Sequence, residues 1–80
     1  MPTIDRFGQL RVVIYPNDHR PAHVHVMGRG LEVVIDLNCP KGPPRLRENF
    51  GFPRREITHV CAVLQSRLSE LCTAWERIHG

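Results

Sequence analysis

Alternating apolar and polar positions mark the first half of the chain. Leu10 to Tyr15 is rich in β-branched and aromatic residues and stops at Pro16-Asn17-Asp18, a turn signal; Ala22 to Met27 alternates; Leu31 to Leu37 alternates and ends before Asn38 and Pro40. These segments predict three strands, and none fits a helical period. Gly28-Arg29-Gly30 predicts a hairpin between the second and third, because glycine supplies the positive φ that tight turns require. If one face is to bury, Val24 and Val26 must share it with Leu31, Val33, Ile35 and Leu37, which pairs Val26 with Val33 and Val24 with Ile35 around a two-residue turn. His23 then lies opposite Asp36, His25 opposite Val34 and Met27 opposite Glu32 on the other face. A three-residue turn would instead set the histidines against the valine face.

From Pro53 to His79 the period changes. Ile57, Val60, Cys61, Leu64, Leu68, Leu71, Cys72, Trp75 and Ile78 recur at steps of three and four, a stripe that predicts one long helix with Pro53 in its first turn and Gly80 at its end. Trp75 reads as a core anchor on that stripe. Between strand and helix, residues 40–52 hold Pro40, Gly42, Pro43, Pro44 and Gly51 and read as a loop, with Arg45 to Glu48 able to form a short edge strand. The expected architecture is α+β: a small antiparallel sheet of three to four strands, all within residues 3–39 apart from that edge, packed against the C-terminal helix over 53–79. Eighty residues suit a single domain, 1–80.

Charge changes this picture in one place. Residues 1–39 carry four arginines against four acids, residues 56–80 sum to minus one, and residues 40–55 carry Lys41, Arg45, Arg47, Arg54 and Arg55 against Glu48 alone. A local basic patch is the electrostatic signature of a phosphate-bearing or acidic partner, although ten arginines beside a single lysine also suit a solvated loop in an arginine-rich protein. Arg54 and Arg55 would oppose the helix dipole, a second hint of an anionic ligand. With no basic-then-apolar leader and no apolar run near the ~20 residues of a membrane span, a cytoplasmic location without membrane contact is expected. Cys39, Cys61 and Cys72 are odd in number and lack CxxC spacing, which argues against a disulfide framework and a zinc knuckle. Cys61 and Cys72 would stand about 16 Å apart along a helix, and all three read as small core residues.

The chemistry concentrates at Asp18-His19-Arg20-Pro21-Ala22-His23-Val24-His25, three imidazoles within seven residues. Histidine both titrates near neutrality and ligates metals. His23 and His25 project from one side of a strand, as paired ligands must, and His19 or Asp36 could supply a third donor to zinc or another divalent ion. Alternatively, the pair could run metal-independent RNA cleavage, one ring as base and the other as acid, with Asp36 orienting His23 and arginines stabilising the phosphorane. A strand histidine hydrogen-bonded to a cross-strand carboxylate can also be purely structural. His59 and His79 read as bystanders.

Met1-Pro2-Thr3-Ile4, Arg6-Phe7, the Tyr15 to Asp18 turn, Pro21-Ala22-His23-Val24-His25-Val26, Val33-Val34-Ile35-Asp36 and a helix ending near Trp75 together resemble the bacterial domain of unknown function 4160 family. The family's characteristic histidines carry over as His23 and His25. Ala22 stands where relatives have a second proline and Val24 where they have an aromatic residue; residues 39–52 are longer and more basic than the resemblance implies. The resemblance implies a small protein partner encoded nearby, because members occur beside another short domain of unknown function, numbered 2442, in an arrangement similar to toxin–antitoxin pairs.

Three functions follow as expectations. The first is a component of a toxin–antitoxin-like module that contacts RNA or DNA through Lys41, Arg45, Arg47, Arg54 and Arg55, with His23, His25 and Asp36 as a candidate ribonuclease site and no cofactor. The second is a divalent-metal module, zinc being the leading ion, built on His19, His23 and His25 or on Asp36. The third is a non-catalytic interaction domain that docks a partner through a sheet edge or its polar face.

Overall fold

The structure, a computed structural model, describes residues 3–80; Met1 and Pro2, which open the family-like N-terminus, lie outside the described residues. The elements are β1 (Thr3–Phe7), β2 (Leu10–Val13), β3 (His23–Gly28), β4 (Leu31–Asp36), β5 (Arg45–Phe50), α1 (Arg54–Ser66) and α2 (Leu68–His79). The strands form one antiparallel sheet in the order β1-β2-β3-β4-β5. The α+β class is as expected. Five strands replace the expected three to four, and two helices replace the single long one.

The central hairpin has the register that face burial demands. Val26 pairs with Val33, Val24 with Ile35, His23 with Asp36, His25 with Val34 and Met27 with Glu32. Arg29 and Gly30, at φ 53° and 76°, form the two-residue turn between Gly28 and Leu31, and two consecutive positive φ values match the right-handed twist of the flanking strands. Val12, Ile14, Val24, Val26, Val33, Ile35 and Leu37 meet Phe52, Ile57, Val60, Leu64, Leu68, Leu71 and Trp75 in one buried cluster. The helices therefore cover the valine face and leave the histidine face on the other side.

The additional strands come from segments whose side-chain pattern is weak. β1 holds Asp5 and Arg6 in consecutive positions, which hides any alternation, and Gly8 at φ 58° turns it back so that Phe7 pairs with Leu10. β5 grows from the edge segment inside the expected loop, and all six of its residues are exposed. It pairs only with β4 and bulges where Val34 faces Glu48 but Ile35 faces Leu46.

The helix breaks at Arg67, whose φ of −117° and ψ of 13° leave the α region and whose N–H donates to Leu64 O at 3.1 Å, three residues back. One residue of interruption barely rotates the stripe, so Ile57, Val60 and Leu64 on α1 and Leu68, Leu71 and Trp75 on α2 all stay buried. The Arg67 side chain turns toward β1: Nη1 reaches Asp5 Oδ2 at 2.8 Å and the Arg6 carbonyl at 3.2 Å, and the guanidinium stands over Phe7.

Cys39 and Cys72 form a disulfide, which corrects the expectation that the cysteines are unpaired core residues. Cys39, just beyond β4, is carried to Cys72 on α2 by the crossing of sheet and helix. Closing a separation of 33 residues restricts the unfolded chain by about 3–4 kcal/mol on the chain-entropy view; in a reducing compartment the pair stands as two thiols. Cys61 is free, and burial raises its thiol above the ordinary value. Among the described residues, no helix is long and apolar enough to cross a membrane.

The Arg67 contact generates a test. Its hydrogen bond holds the Asp5 carboxyl below the ordinary carboxylate value, with burial opposing less strongly. A depressed folded-state pKa stabilises the fold fully above the unfolded value and loses that effect as pH falls through the folded value. Asp5→Asn should therefore cost up to about 1 kcal/mol at neutral pH, the range of a partly exposed pair, with the two proteins converging as pH drops toward about 2; denaturant unfolding at both pH values measures it.

Candidate functional site

The site begins with the pleat of β3. Because Val24 and Val26 point into the core, His23 and His25 point the other way, and cross-strand neighbours of His25 are Val13 on β2 and Val34 on β4, both buried. His23, at the start of the strand, is 5% exposed and is the buried polar residue among the described residues. Two imidazoles thus stand side by side in apolar surroundings, with ring centroids 5.3 Å apart.

Each ring is held by its Nδ1. His23 Nδ1 lies 2.9 Å from Pro21 O, and His25 Nδ1 lies 2.9 Å from Glu32 Oε2. A carbonyl oxygen and an ionised carboxylate only accept, so both Nδ1 atoms carry the proton and both Nε2 atoms present lone pairs when the rings are neutral. Those Nε2 atoms face one carboxylate, Asp18: His23 Nε2 is 3.5 Å from Oδ1 and His25 Nε2 is 3.3 Å from Oδ2. Asp18 is fixed by its own turn, with Oδ2 accepting from Tyr15 N–H at 3.0 Å and its N–H donating to Tyr15 O at 3.0 Å. One ligand atom from each of Asp18, His23 and His25 lies within 4.8 Å of the others.

Further rings enclose the pair. Tyr15 meets His25 edge-on at 4.9 Å, Trp75 approaches His23 at 5.3 Å, and His79 stacks on Trp75 at 3.8 Å. Trp75 is a core anchor, as its stripe position predicts, and also a wall of the site. Its Nε1 has no hydrogen-bond partner among the described residues.

Asp36 stands opposite His23 as the register requires, but its carboxylate pairs with Arg47 at 2.7 Å. The bulge of β5 supplies that cation, so Asp18 faces His23 in place of Asp36. His19 is exposed in the loop and stands outside the cluster. The five cations do not form one patch: Lys41, Arg45 and Arg47 lie at the His23 end of the sheet, whereas Arg54 and Arg55 open α1 beyond Phe50. At ~3.3 Å per residue, the length of β5 puts about 17 Å between these groups. Asp18 and Glu32 were missed as site residues. The signal for Glu32 was its diagonal place from His25 on the same face; the signal for Asp18 was a carboxylate in the turn that feeds the histidine strand.

A family model described as Domain of unknown function (DUF4160) matches residues 10–76. The chain belongs to that family. The match spans the histidine strand, Asp18, Glu32 and Trp75, so the whole cluster of this DUF4160 domain lies within it. No curated protein and no solved structure matches the chain.

The hydrogen bonds of this DUF4160 domain dictate its tautomers. In nitrogen-15 NMR of the metal-free protein, the neutral forms of His23 and His25 should both carry the proton on Nδ1, with Nε2 of the unprotonated type. Protonated Nε2 on either neutral ring would contradict the assigned partners.

Proposed function

We propose that this DUF4160 domain binds a divalent transition metal, zinc being the best fit, through Asp18 and the Nε2 atoms of His23 and His25. A single observation carries the reading: Asp18 and the two Nε2 atoms face one another, and with both rings neutral all three are acceptors whose repulsion a cation between them would turn into attraction. Asp18 Oδ1 stands 3.5 Å from His23 Nε2 and 3.4 Å from His25 Nε2, long for charge-assisted hydrogen bonds, which run ~2.7–2.9 Å, and near the ~3.3–3.4 Å edge of a tetrahedron with metal–ligand bonds of ~2.0–2.1 Å. The Nδ1 partners, Pro21 O and Glu32, are the outer contacts that orient ligating histidines, and the buried valines keep the site in a low dielectric. Zinc suits two imidazoles and a carboxylate with one vertex left for water or a further ligand. Asp18 takes the third place that sequence spacing offered to His19 or Asp36.

Acid–base cleavage of a phosphodiester draws less support. Its two rings would need free Nε2 atoms aimed at a substrate, and here both turn toward Asp18. A toxin–antitoxin-like role rests on the family resemblance; growth arrest on induced expression in a bacterial host, relieved by His23→Ala at equal protein level, would carry it, and normal growth would remove it.

Titration with zinc should saturate at one equivalent and raise the melting temperature. At a free zinc concentration of about 100 times Kd the stabilisation should be about 2.7 kcal/mol. Asp18→Ala, His23→Ala and His25→Ala should each abolish uptake, while His19→Ala and Asp36→Ala should keep it. Absence of uptake by the wild type sinks the proposal.

A further inference from the structure

The two edges of the sheet differ. At β1, Arg67 covers the edge by donating to the Arg6 carbonyl and pairing with Asp5. At β5, no strand lies on the outer side and every residue is exposed. Leu46 and Phe50, 50% and 55% exposed, are the exposed large hydrophobic residues among the described residues, and both lie on this strand. A naked edge carrying apolar side chains is what proteins ordinarily avoid, by charge, by bulges or by a cover. The charge at this edge is mainly positive: Arg45 and Arg47 on the strand and Lys41 just before it stand against Glu48. Arg47 is neutralised internally by Asp36, whereas Lys41 and Arg45 have no ion-pair partner among the described residues.

We infer that β5 accepts an extended segment of a partner protein as a sixth strand, a segment that carries both acidic and apolar residues. Three features of the edge each select a property of this occupant. Unpaired backbone groups call for another extended backbone, Leu46 and Phe50 call for apolar side chains, and Lys41 with Arg45 calls for carboxylates. A second copy fits poorly, because it brings like charges together and because the bulge at Arg47 twists the edge away from an identical rigid one. A flexible segment follows that twist. Phosphates of a nucleic acid would answer the cations but leave the backbone groups unpaired. The inference is independent of the metal reading, since β5 supplies none of the three ligands.

The test uses the full chain and a synthetic peptide repeating Val-Val-Glu-Glu, which puts both residue types on each face, about eight residues long to match ordinary strand length. Saturable binding is expected, with amide NMR shifts and new exchange protection concentrated at residues 45–50. N-methylation of alternate peptide residues should weaken binding about tenfold or more. The double variant Lys41→Glu, Arg45→Glu should weaken it to a similar degree while leaving the melting temperature unchanged. Any of four results overturns the inference: no saturable binding, indifference to N-methylation, shifts mapping away from β5, or sedimentation showing a dimer formed through β5. Binding of an oligothymidylate at residues 45–50 without binding of the peptide overturns it as well.

Discussion

The pleat of β3 is the constraint on which both core and site depend. Successive side chains leave a strand on opposite faces, so burying Val24 and Val26 under the helices forces His23 and His25 together onto the other side. A slip of one residue would exchange the two sets, placing imidazoles in the cluster of Val60, Leu64 and Leu71 and valines toward Asp18. Such a slip would strand polar rings in an apolar core at a cost of several kcal/mol, which makes the register firm. The tight Arg29-Gly30 turn holds the same register from the other end of the hairpin.

With the rings held on one face, the surrounding hydrogen bonds decide what they can do. Pro21 O and Glu32 take both Nδ1 protons, and the turn at Tyr15 to Asp18 aims a carboxylate at both Nε2 atoms. Asp18 and both Nε2 atoms thus converge beside Tyr15 and Trp75, with Val13 and Val34 buried next to His25. The Cys39–Cys72 bond ties the chain just beyond Asp36 to α2 one turn before Trp75, so it braces both neighbours of His23.

The sheet meets solvent in two unlike ways. Arg67, at the one position where the helix is interrupted, reaches back to cover β1. β5 has nothing comparable, and its bulge spends Arg47 on Asp36. That ion pair also removes Asp36 from His23, so the shape of an edge strand determines which carboxylate serves the histidines.

What was legible in the residues alone is what local periodicity controls. The alternation of Val24, Val26, Val33 and Ile35 placed the central hairpin, its register and its two faces, and the stripe from Ile57 to Ile78 placed the helical half. A period of two or of 3.6 follows from backbone geometry within a few residues, so sequence determines it. The break at Arg67 escaped because one residue scarcely turns the stripe, β1 escaped because its consecutive charges carry no alternation, and β5 was legible only as a segment, Arg45 to Glu48, able to form a short edge strand. Asp18 over Asp36, Cys39 with Cys72 and the division of the basic residues between two ends of the sheet were decided only in three dimensions. Each depends on which distant segments approach within a few ångströms, and for a charge or a thiol that distance decides the partner.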